Sequence, residues 1–175
     1  MSVAALLVVV TLLDFDDPAD AALWRPVDDV VMGGVSRSTF RQAQPGVASF
    51  SGNVSLENFG GFASVRTAPR DWDTAGASAF LLRVRGDGHT YKFTIRTSDG
   101  LDGIQYQARF TAPAQTWTEV RLPVRDFVAT FRGRKVPFAP SLDPAKVRAI
   151  GLMISDKQAG PFELLVDRIA IERKK

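Results

Sequence analysis

Apolar and polar residues alternate with a period of two along most of the chain from Phe50 onward. Phe80, Leu82 and Val84 fall on one side of an extended segment, while Leu81, Arg83 and Arg85 fall on the other. Gly86-Asp87-Gly88 interrupts the run, and Tyr91, Phe93 and Ile95 then alternate with Lys92, Thr94 and Arg96. Two alternating runs around a short glycine turn predict a β-hairpin. Ile104, Tyr106, Ala108 and Phe110 repeat the scheme against Gln105, Gln107 and Arg109, and Val120 with Leu122, Gly151-Leu152-Met153-Ile154, Leu164 with Val166 and Ile169 with Ile171 extend it. Helical signals are confined to Pro18 to Leu23, behind an Asp16-Asp17 cap, and to Asp143-Pro144-Ala145-Lys146-Val147. Ten prolines and fourteen glycines punctuate the strands at the short intervals of a sandwich or barrel. The expectation is one all-β domain over residues 1–175, an antiparallel β-sandwich. Phe80, Leu82, Val84, Tyr91, Phe93 and Ile95 should lie buried between its sheets.

The apolar stretch from Val3 to Leu13 is the one segment the alternation does not explain. It falls short of the about 20 apolar residues that span a bilayer. No Lys or Arg precedes it, and Leu12-Leu13-Asp14-Phe15 is a poor cleavage site for a secretory signal. The β-branched run Val8-Val9-Val10-Thr11 instead predicts a buried first strand. A chain with no membrane span and no signal is expected in the cytoplasm; export is the alternative if residues 1–13 are a signal remnant.

Composition removes several kinds of chemistry. With no cysteine, the 175-residue chain has no disulfide, thiol nucleophile or zinc–thiolate site. Its 22 basic and 19 acidic residues leave a formal charge of +3, without the dense basic, aromatic-interleaved run of a nucleic-acid binder. The lone histidine, His89, sits beside the Gly86-Asp87-Gly88 turn, where a solvated side chain is commoner than a general base. Gly34-Val35-Ser36-Arg37-Ser38 lacks the closing glycine of a nucleophile elbow, and no phosphate-loop or dinucleotide fingerprint occurs. The chain therefore reads as a binding protein that catalyses nothing and holds no cofactor. Asp14, Asp16 and Asp167 are oxygen donors for a hard cation such as calcium, although their spacing matches no EF-hand and aspartates before a proline commonly cap a turn.

The polar side of the alternation carries more. If all the apolar series face one core, Arg83, Arg85, Lys92, Thr94, Arg96, Gln105, Gln107 and Arg109 share a surface, and Arg66 joins it from Phe62-Ala63-Ser64-Val65-Arg66. Arginines on adjacent strands repel one another unless something anionic or amide-rich faces them. Such a face is either a solvated exterior balanced by loop carboxylates or a cradle for a polar ligand or acidic protein segment.

Several loops look too specific for mere connections. Val30-Val31-Met32-Gly33-Gly34-Val35-Ser36 and Asn58-Phe59-Gly60-Gly61-Phe62 each join apolar residues to a double glycine, which permits close backbone approach. Phe131-Arg132-Gly133-Arg134 sets two arginines around a glycine, and Ser155-Asp156-Lys157-Gln158 follows an apolar strand directly. Trp24 followed by Asp28-Asp29-Val30-Val31-Met32-Gly33-Gly34-Val35-Ser36 resembles the signature of the complex I intermediate-associated protein 30 family. Matches continue in order through Phe50 to Asn58, Gly60 to Arg66, Arg85-Gly86-Asp87-Gly88 with Tyr91-Lys92, Phe131 to Arg134, and Asp156-Lys157-Gln158 with Gly160-Pro161-Phe162. The resemblance covers about residues 14–171. Asp28 departs from it where asparagine is frequent, and Phe59 where a polar residue is common.

The resemblance implies a galactose-binding-like jelly-roll sandwich, the architecture also used by carbohydrate-binding modules. It implies a non-catalytic chaperone or assembly factor of respiratory complex I, the NADH:ubiquinone oxidoreductase of the respiratory chain. The partners would be its subunits or assembly intermediates, met peripherally at the inner membrane. The alternative is a module binding a sugar or other polar small ligand on the arginine face, for which exposed Trp72 or Trp117 would speak. The site residues expected to form one contiguous polar surface are Asp29, Gly33, Gly34, Ser36, Asn58, Gly60, Gly61, Arg66, Arg85, Asp87, Lys92, Arg132, Arg134, Asp156, Lys157 and Gln158.

Overall fold

A computed structural model describes residues 6–100 and 102–175. Its strands are β1 (Leu7–Leu13), β2 (Trp24–Pro26), β3 (Arg37–Gln44), β4 (Val47–Val54), β5 (Ala63–Thr67), β6 (Ala77–Arg85), β7 (Thr90–Arg96), β8 (Gln105–Thr111), β9 (Trp117–Pro123), β10 (Val128–Phe131), β11 (Arg134–Lys135), β12 (Ala149–Ile154) and β13 (Gly160–Lys174). They form two antiparallel sheets. The first runs β3-β4-β13-β6-β9, with β1 also paired to β13, and the second runs β11-β10-β8-β7-β12-β5-β2. The long β13 is the spine of the first sheet. Its opening half pairs with β4 and its closing half with β1 along one edge, while β6 follows the other.

The alternation read from the sequence sets the core. Phe80, Leu82 and Val84 of the first sheet and Tyr91, Phe93 and Ile95 of the second are fully buried. Aromatic rings bridge the sheets, Phe80 to Phe93 at 5.5 Å and Phe50 to Tyr91 at 6.3 Å between centroids. Both short helical signals materialise. Helix α1 (Pro18–Ala22) is capped by Asp17, whose carboxylate accepts from Ala19 N at 2.8 Å, and Asp143 caps a 3₁₀ turn at Pro144–Lys146.

Two expectations need correction. β1 is a strand, but not a buried one: among the described residues it pairs with β13 alone, and Leu7 and Val9 are each about half exposed because no described element covers them. Residues 3–5 of that apolar stretch lie outside the described residues. Nor do β6 and β7 form a hairpin. β6 already has β13 and β9 along its two edges, so the Gly86–His89 segment carries the chain across to the other sheet. Both strands still turn their apolar residues into the common core. Their polar residues therefore emerge on opposite faces of the sandwich.

Candidate functional site

Four of the motif segments gather at one end of the sandwich. The 29–36 loop leads into β3, the 55–62 loop joins β4 to β5, the 86–89 crossover joins β6 to β7, and the 155–159 turn joins β12 to β13. Asp29 holds the first two together. Only 1% exposed, its carboxylate accepts hydrogen bonds from Ser36 N (3.0 Å), Ser36 Oγ (2.6 Å), Gly61 N (2.7 Å) and Phe62 N (3.3 Å). Burial by itself would raise the Asp29 pKa, but the bonds from Ser36, Gly61 and Phe62 outweigh it and hold the carboxyl below its ordinary range. Asp28 works alongside, accepting from Ser38 N (2.9 Å), Ser38 Oγ (2.6 Å) and Ser64 N (3.0 Å). The buried Asp28 thus finds three hydrogen-bond donors.

The double glycines follow from this packing. A Cβ at Gly34 would stand 2.4 Å from Asp29 Cγ, and one at Gly60 would stand 2.5 Å from Asp29 Oδ2. Gly33 is needed for its backbone instead, ending the 3₁₀ turn Asp29–Met32 at φ 89°. Gly34→Ala should lower stability by about 1–3 kcal/mol, the usual cost of overpacking. A urea midpoint equal to wild type would show that the loop yields freely.

The remaining motif residues lock the neighbouring segments. Asp87 accepts from Tyr91 Oη (2.9 Å), Glu163 N (2.8 Å) and His89 N (3.1 Å). Lys92 Nζ donates to Ser155 Oγ (2.7 Å) and Asp156 Oδ1 (3.1 Å), and Arg109 pairs with the other Asp156 oxygen at 3.0 Å. The Gln158 amide takes the Thr90 N–H at 2.9 Å and donates to the Thr90 and Ser155 carbonyls. Asn58 and Lys157 both adopt left-handed backbone, and Lys157 is exposed.

The expected single polar surface does not form. Arg85, with Arg83, emerges on the outer face of the first sheet, where Arg85 donates to Gln115 and Arg83 pairs with Asp167. Arg66 lies on the outer face of the second sheet. Arg132 and Arg134 sit at the far end of that sheet, with Arg132 paired to Asp102. The calcium grouping fails as well: among the described residues no three carboxylate or imidazole groups converge, Asp14 accepts from Asp16 N, and Asp167 belongs to Arg83. Trp72 and Trp117 are half-buried beneath Arg70 and Arg83 rather than open for stacking on a sugar.

What the polar motifs leave exposed is apolar. Val31 is 77% exposed, Met32 69% and Phe59 99%, with Val30, Val35 and Leu56 beside them also open. The two loops that carry them meet at Asp29. Phe59 itself has φ 60°, a conformation uncommon for an aromatic residue and held here by the turn around Gly60. Sequence reasoning missed these residues as a site. The available signal was Val30-Val31-Met32, an apolar run standing outside any period-two strand pattern.

Among the described residues no helix is long and apolar enough to cross a membrane. The fold is similar to a family 11 carbohydrate-binding module of a Clostridium thermocellum cellulase, at 16% identity and TM-score 0.70 over 99% of this chain and 97% of that one. In sequence the chain is 29% identical over 154 residues to the mitochondrial complex I intermediate-associated protein 30 of Neurospora crassa, covering 78% of this chain and 55% of the relative. The mouse protein of that name is 32% identical over 57% of this chain and 32% of its own length. The chain thus spans about half, or less, of these relatives. Their names, and that of the Drosophila melanogaster relative, point to mitochondria and overturn the expected cytoplasmic location. The family described as Complex I intermediate-associated protein 30 matches residues 13–166, so the chain belongs to that family.

Proposed function

We propose that this domain is a non-catalytic binding protein that docks onto a subunit or assembly intermediate of respiratory complex I through the loop pair 30–35 and 56–59. The observation that carries the reading is the exposure of Val31, Met32 and Phe59 on loops pinned from beneath by the buried Asp29 carboxylate. A flexible loop would lose much of its binding energy in ordering, whereas an apolar knob already held in place loses little. Phe59 and Met32 are also of the residue types enriched in protein interfaces. The family name supplies the kind of partner. The likeness to carbohydrate-binding modules supports the fold, and the sugar reading gains nothing from Trp72 or Trp117.

The test is capture of complex I assembly intermediates from detergent-solubilised mitochondria by the tagged protein and by Phe59→Asp and Met32→Asp variants. Both changes lie on exposed side chains, so melting temperatures should stay close to wild type. Capture should fall at least tenfold. Undiminished capture by two folded variants would refute docking through these loops.

A further inference from the structure

At the other end of the second sheet, away from the loop pair, three arginines line a cleft of about 210 Å³ on the outer face. Arg25, Arg66 and Arg96 come from β2, β5 and β7, and between the last two runs β12. Its outward positions there are Ala149, in register with Arg96, and Gly151, in register with Arg66, so no long side chain stands between the two guanidinium groups. Arg96 is the anomaly. It is only 6% exposed, yet among the described residues its Nε and Nη2 have no hydrogen-bond partner. A buried guanidinium with two unsatisfied donors is costly, and native structures ordinarily satisfy such groups.

The nearby carboxylates spend their hydrogen bonds elsewhere, and Asp102 reaches Arg96 only through space. Asp102 pairs with Arg132 at 2.9 Å, and Asp99, on the wall of the cleft, is held by Arg148 Nε at 2.6 Å. Burial, and then repulsion from Arg96, lowers the Arg66 pKa from its ordinary value. Arg25 is braced at the rim by bonds to the Ala22 and Trp24 carbonyls. Arg66 and Arg96 therefore repel each other across a concavity that Arg25 also lines, where Asp102 balances Arg96 only in part and an incoming anion would relieve the remaining positive charge. We propose that this cleft binds a phosphate-type oxyanion, with Arg66 and Arg96 supplying the guanidinium donors and Arg25 closing the rim. A dianion offers the charge and the several acceptor oxygens that guanidinium forks match. The volume lies below the about 300–1,000 Å³ of drug-sized ligand pockets, which suits a small ion or the anionic end of a larger molecule.

Thermal melts of the full chain in sodium phosphate, against sodium chloride at equal ionic strength, test the assignment. Wild type should gain about 3–6 °C at a tenfold excess over the dissociation constant. Arg96→Met and Arg66→Gln should lose that gain, whereas Arg125→Ala, an equal charge change at an exposed site remote from the cleft, should keep it. Without phosphate, Arg96→Met should melt no lower than wild type, because it removes a buried charge with two unsatisfied donors. A second titration with glycerol 3-phosphate separates the sources: equal affinity assigns the free ion, and tighter binding of the ester assigns a larger phosphorylated ligand. The proposal is overturned if phosphate gives wild type no saturable gain over chloride, or if both Arg96→Met and Arg66→Gln retain the gain.

Discussion

Replacing Asp29 by alanine is expected to destabilise the protein by about 3–5 kcal/mol, the range for stranding the partners of a buried charge. The loss follows from what the carboxylate holds. Ser36 N, Gly61 N and Phe62 N would be left without their acceptor at a position that water hardly reaches. Gly34 and Gly60, packed directly against the carboxylate, would then border a void. Equilibrium denaturation in urea measures the change, and a loss below about 1 kcal/mol would remove Asp29 from its central place. The same residue sets a pH dependence. A carboxyl whose pKa is lower folded than unfolded stabilises the native state above its unfolded value, about 3.9, and that stability is lost as pH falls through the native value. Asp87, depressed against its own burial by bonds from Glu163, His89 and Tyr91, acts in the same direction. Wild type should therefore weaken steeply below about pH 4, and Asp29→Ala should show a shallower acid slope.

Asp87→Ala should cost about 2–4 kcal/mol, and the coupling with Tyr91 identifies the cause. Tyr91 is fully buried, and its hydroxyl lies 2.9 and 3.0 Å from the two Asp87 oxygens. Burial first, and then the Asp87 charge, drives the Tyr91 pKa upward, so the hydroxyl stays protonated and donates. Removing Asp87 strands that donor, while Tyr91→Phe in the same chain removes the stranded group. The double variant should accordingly be more stable than the sum of the single losses predicts, by about 1–2 kcal/mol of coupling. Strict additivity would show that Asp87 acts only through the Glu163 and His89 amides, as a clasp on the crossover rather than on the core.

The alternation of apolar residues was enough to read the core. A side chain in a strand points to one face or the other, and the apolar face must be inward, so Phe80, Tyr91 and Phe93 were legible without any knowledge of pairing. The same period says nothing about which of two sheets a strand joins. Arg85 and Lys92 therefore looked like neighbours on one surface, although the Gly86–His89 crossover sets them on opposite sides of the core. The motifs likewise identified the loops but not their arrangement. Asp29 and Gly61 stand far apart along the chain and meet only because β3, β4 and β5 bring both loops to one end. Burial of an aspartate, exposure of Phe59 and the two unsatisfied donors of Arg96 are likewise products of tertiary contact. Which residues turn inward and which segments are motifs follows from local periodicity and from the chemistry of single residues, and both are written in the order of amino acids. Which polar groups meet depends on strand pairing across two sheets, and that pairing rests on contacts between residues remote in the chain.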